Sequence, residues 1–79
     1  MQLKIGSVVV SKAGHDSGEM FAVMSFDDKN VFISDGRQRK VEKPKKKNLK
    51  HVSVTGYFVE SEQLLTNRKL KKALAGFKA

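Results

Sequence analysis

Short runs of β-branched and aromatic residues, separated by polar turns, fill the first half of the chain. "VVVS", residues 8–11, reads as a strand. "KAGHDSGE" then carries two glycines and an Asp-Ser pair and reads as a loop. "MFAVMSF", 20–26, is a second strand, with Met20, Ala22, Met24 and Phe26 on one face and Phe21 and Val23 on the other. Apolar residues on both faces place it in the middle of a small barrel or sandwich. "DDKN" is a tight polar loop, and "VFIS", 31–34, a third strand. Asp35-Gly36 is a strong hairpin signal for a type I′ turn, so a fourth, basic strand is expected at about 37–42. Pro44, with no N–H to donate, is expected to end regular pairing, and "KKKN" after it to form a loop. A further extended segment is expected at 49–54, broken by Gly56.

From Ser61 the pattern turns helical. Ser61 is the expected N-cap, and Glu62 suits the first turn of the helix dipole. Leu70, Ala73, Leu74 and Phe77 recur at spacings of three and four, while Lys69, Lys71, Lys72 and Lys78 crowd toward the C-terminal end. The fold class expected is therefore mainly β: five short strands in a small barrel, residues 1–54, with a helical extension over 55–79.

Length and charge sharpen the picture. With 79 residues the chain makes one domain, burying about 60% of its unfolded surface. There is no cysteine, which excludes a disulfide scaffold and a thiolate zinc site. No apolar run approaches a membrane span of roughly 20 residues, and the apolar run of "MQLKIGSVVVSK" is too short for a secretory signal. The expectation is a cytoplasmic protein. The net charge of +8 is unevenly placed: residues 1–36 are net −2, 37–51 are net +7 and 52–79 are net +3. A surface serving solubility alone would intersperse both signs, so the cluster points to an anionic partner.

The residues that could carry chemistry do not assemble an enzyme. "GHDSGE" lacks the spacing of a phosphate-binding P-loop, and Glu19 stands where the lysine would be needed. His15, Asp16 and Ser17 are consecutive and cannot form a relay. Asp27 and Asp28 read as solvated turn formers. His15 and His51, without cysteine, make a poor metal set. No catalytic residue, cofactor or metal is therefore expected. The basic segment is different. Arg37 and Arg39, two apart on a strand, would share a face, and their guanidinium groups can fork onto phosphates or stack on bases. Lys40, Lys43, Lys45, Lys46, Lys47 and Lys50 are mobile point charges suited to phosphates. Backbone groups near Gly14, His15 and Gly18 are a second candidate contact. Phe21, Phe26 and Phe32 are expected in the core and Tyr57 and Phe58 at the surface, so a base-stacking pair of the kind found in RNA-recognition motifs is lacking.

The stretch from Val8 to Gly36 resembles a KOW motif in Val8, Val10, Gly14, Asp16, Gly18, Val23, Val31 and the Asp35-Gly36 turn. The basic continuation "RKVEKPKKKNLKH" is similar to that of the L-fourteen-e type of large-subunit ribosomal proteins and of small KOW-domain proteins. The resemblance covers roughly residues 5–53 and implies an SH3-like barrel that binds RNA, mostly ribosomal RNA, as a ribosomal or ribosome-associated protein of translation. Members of the family also bind proteins, and residues 54–79 fall outside the resemblance. Two other readings stand beside it: a protein-interaction module using the barrel or helix against an acidic partner, and attachment of the basic helix to a membrane surface.

Overall fold

The computed structural model describes residues 3–77. Lys78, expected at the end of the helix, lies outside them. Five antiparallel strands form one sheet: β1 (Ser7–Ser11), β2 (Met20–Phe26), β3 (Asn30–Ser34), β4 (Lys45–Asn48) and β5 (Val52–Phe58), in the order β4-β3-β2-β1-β5. A 3₁₀ turn, Leu49–His51, joins β4 to β5, and a second, Ser61–Leu64, leads to the helix α1 (Asn67–Ala75). Strands β4 and β5 stand at opposite ends of the sheet order, yet three residues connect them. A 3₁₀ turn rises about 2 Å per residue, so the sheet must bend strongly.

The two faces of β2 divide the core as its alternation requires. Phe21 and Val23 pack with Val9, Val31, Ile33 and Val52. Ala22 packs on the other side with Val8, Val59, Leu64, Leu70 and Leu74, so α1 covers that face of the sheet. Residue 54, where the barrel was expected to end, lies inside β5, which pairs with β1 from Ser11↔Val52 to Ser7↔Phe58.

Local chemistry explains where the elements depart from the sequence pattern. Residues 37–42 form no strand. The Asp35 carboxylate accepts the amides of Arg37 (2.8 Å) and Arg39 (3.0 Å), while the Asp35 and Gly36 amides donate to the Arg39 carbonyl. These bonds use the amides a ladder would need and close a compact turn. Only Gly36 has a positive φ there, so the type I′ turn is absent. The fourth strand is instead the lysine run itself: Lys45, Lys46 and Lys47 pair with Ile33, Phe32 and Val31. Pro44 precedes this edge strand, where its missing N–H costs no ladder bond.

A register shift between Val23 and Ser25 turns the end of β2, leaving Phe26 exposed rather than in the core, and Phe32 is half-buried. Residues 49–51 are a 3₁₀ turn rather than extended, because the Asn48 side chain accepts the Lys50 amide. Gly56 does not end its strand. It bulges at φ 89°, and the Thr55 hydroxyl fills the gap by donating to the Val8 carbonyl at 2.7 Å. Ser61 opens the short 3₁₀ turn, whereas the α-helix starts after Thr66, whose hydroxyl accepts the Lys69 amide.

Two glycines separate packing from conformational need. Gly36 (φ 78°) lies against α1, where a Cβ would collide with the Asn67 carbonyl and press on the Lys71 amide. Gly18 (φ 88°) has open space around it. Gly18→Ala is therefore expected to cost about 1 kcal/mol from its dihedral alone. Gly36→Ala adds overpacking and should cost about 2–4 kcal/mol. Urea unfolding of the two variants checks this, and a reversed ranking would show that α1 does not seat on Gly36.

Candidate nucleic-acid interface

The expected site residues fall into three groups. The first is pinned. Asp16 is buried in the β1–β2 loop and receives the Lys47 ammonium at 2.8 Å, the Lys45 ammonium at 3.1 Å and the Ser11 hydroxyl at 2.8 Å. The Lys47 ammonium also donates to the Ala13 carbonyl at 2.8 Å. Strand periodicity puts Lys45 and Lys47 on one side of β4, facing this loop. Burial pushes the Asp16 carboxyl upward, but the hydrogen bonds from Lys47, Ser11 and Lys45 outweigh it and hold the group well below the ordinary carboxylate range. Lys47, with its side chain 7% exposed, is a structural cation rather than a mobile contact. Lys45 is partly exposed and shares the same carboxylate.

The loop's own backbone is similarly committed at one of its glycines. The Gly18 amide donates to the Ser11 carbonyl at 2.8 Å and is spent within the fold. Gly14 and His15 are exposed beside the Asp16 cluster.

The second group stands near acids at the β2–β3 turn. Lys46 projects from the other side of β4, near Asp27, and Lys50 lines a shallow hollow with Asp28 and Lys29. Asp27 is a turn former as expected: it accepts the amides of Lys29 and Asn30, which hold its carboxyl below the ordinary value. These carboxylates offset part of the charge of Lys46 and Lys50.

The third group is joined by the fold to residues that the sequence reading left out of the site. Arg37, Arg39, Lys40 and Lys43 are exposed on the 35–44 loop. Asn67, at the first turn of α1, fastens that loop: its Oδ1 accepts the Val41 amide at 2.8 Å, and its Nδ2 donates to Glu42 at 2.7 Å. Gly36 abuts the helix backbone as well. Arg68, Lys71 and Lys72, at helical spacings of three and four, share the exposed side of α1 opposite buried Leu70 and Leu74. Lys69 pairs with Glu62 at 3.5 Å. Seven cations thus stand on two fastened elements; of the acids nearby, Glu42 is engaged by Asn67 and Asp35 by the Arg37 and Arg39 amides, while Glu19 lies across the cleft that Arg37 and Lys71 line. The helical spacing of Arg68, Lys71 and Lys72 was visible in the sequence. Their proximity to the loop depends on Asn67 and Gly36 and was not.

Tyr57 and Phe58 are exposed as expected, and Tyr57 stacks on Phe77 with ring centroids 4.9 Å apart. Among the described residues no helix is long and apolar enough to cross a membrane, and no group of three His, Asp or Glu side chains could hold a metal ion. No protein-family model matches the chain, and no curated protein matches it.

Proposed function

We propose that the protein is a small SH3-like barrel of KOW type that binds structured RNA through the 37–43 loop and α1. The observation that carries this reading is the fastening of the loop to the helix by Asn67, which makes two separate basic stretches into neighbours. Arg37, Arg39, Lys40 and Lys43 with Arg68, Lys71 and Lys72 then replace counterions along a phosphate backbone. The binding is led by charge and shape, because lysine and arginine contacts to phosphate position a protein without reading sequence. The three-residue connection from β4 to β5 supports barrel closure. The basic continuation of the KOW-like stretch supports ribosomal RNA as the partner and a place on or near the ribosome.

A competing reading uses the same cations against an acidic protein, with exposed Ile5, Phe58 and Leu65 as apolar contacts. Cross-linking in cells, followed by sequencing of the attached RNA, separates the two. Enrichment of ribosomal RNA, with cross-linked peptides from 37–43 and 67–75, is the expected result. A scatter over messages would remove the ribosomal assignment, and recovery of no RNA would favour the protein partner.

A further inference from the structure

A cleft of about 320 Å³ opens between the start of β2, the 35–44 loop and α1. Its volume lies at the small end of ligand clefts, which run about 300–1,000 Å³. Met20 and Leu74 contribute apolar surface, Phe77 an aromatic ring, and Arg37 and Lys71 two cations. We propose that this cleft holds one unpaired nucleotide of the bound RNA. The inference rests on the RNA-binding reading above and adds to it a preference for a bulged or looped base.

The chemistry of the lining assigns the parts. Gly36, lacking a Cβ, lets the loop lie close against the α1 backbone at Asn67 and Lys71, which brings its neighbour Arg37 beside the same turn of α1. Among the described residues, neither Arg37 nor Lys71 has a carboxylate within ion-pair distance. Two like charges lining one cleft repel each other, and a phosphate between them would relieve that cost. Two acids also line the cleft. Asp35 is buried and spends its carboxylate on the Arg37 and Arg39 amides. Glu19 is exposed and repels phosphate, which sets the phosphate on the Arg37–Lys71 side. Phe77 is half-buried, and its ring stacks on that of Tyr57 with centroids 4.9 Å apart. A base inside an A-form helix is stacked on its neighbours and cannot reach such a ring, whereas an unstacked base can. Stacking on an aromatic side chain favours any base.

The test compares one RNA hairpin with the same hairpin carrying a single bulged adenosine, at fixed salt. Wild type should bind the bulged form more tightly. Phe77→Leu keeps an apolar side chain against Leu74 but removes the ring. It should weaken the bulged complex roughly fivefold or more, with the matched complex unchanged. Equal binding of both hairpins by wild type, or an equal effect of Phe77→Leu on both, would overturn the nucleotide cleft while leaving electrostatic RNA binding intact. Binding of neither hairpin would overturn both. Should Phe77→Leu unfold, a photoreactive thiobase at the bulge gives the answer on the wild-type protein. Cross-links to Met20 or Phe77 are expected, and cross-links confined to other residues would overturn the proposal.

Discussion

Asp16→Ala is expected to remove a large share of the protein's stability, about 3–5 kcal/mol, because it leaves the buried Lys47 ammonium without its counterion. A domain of 79 residues has roughly 4–12 kcal/mol to lose. Urea unfolding should therefore show a population partly unfolded in buffer, or a midpoint moved far toward zero denaturant. Replacing the pair together, Asp16→Leu with Lys47→Met, removes both charges and should recover much of the loss, since buried ion pairs and well-packed apolar substitutes are often nearly equivalent. If the single variant were as stable as wild type, Asp16 and Lys47 would not be buried partners in solution.

The same pair sets an acid limit. The folded carboxyl titrates below its unfolded value of about 3.9, so its contribution is fully present above that pH. It is lost as pH falls through that value toward the depressed folded one. Stability should be nearly flat from pH 7 to about 5 and fall below about 4. The doubly substituted variant should lose part of that acid-side fall.

Neutralising the four loop cations, Arg37, Arg39, Lys40 and Lys43 to glutamine, should produce the largest effect on function. Each exposed charge contact is worth about 0.7 kcal/mol, so RNA affinity should drop on the order of a hundredfold. Thermal stability should change little, because all four side chains are exposed and surface changes are usually within about 0.5 kcal/mol each. Glutamine at Lys45 and Lys47 should do the reverse, costing stability first, because those ammonium groups hold Asp16. A run of three adjacent lysines thus divides between fold and surface by strand parity.

That division marks what the sequence made legible. Strands β1, β2 and β3 and the leucine register of α1 were written in apolar spacing, and the structure places them within a residue or so of that pattern. The extent of the helix was not, because Ser61–Leu64 closes as a separate 3₁₀ turn. Strand β4 was hidden because its alternation is between a buried and an exposed lysine, which no hydrophobic pattern records. Its partner Asp16 lies 31 residues from Lys47 in the chain. The 37–42 segment misled for the opposite reason. Its hairpin signal was local, and the Asp35 carboxylate captured the amides that would have paired. The candidate site was legible as an excess of charge in 37–50. Its geometry was not, because it depends on Asn67 and Gly36 bringing a second basic element alongside.

The most direct test of the central claim is the salt dependence of binding to an RNA hairpin. If four to six phosphates are neutralised, log K should fall with log salt at a slope of about −3 to −5. The four-glutamine loop variant should flatten that slope by about 3. A wild-type slope near zero, or a slope the variant leaves unchanged, would contradict an RNA interface built from the loop and α1.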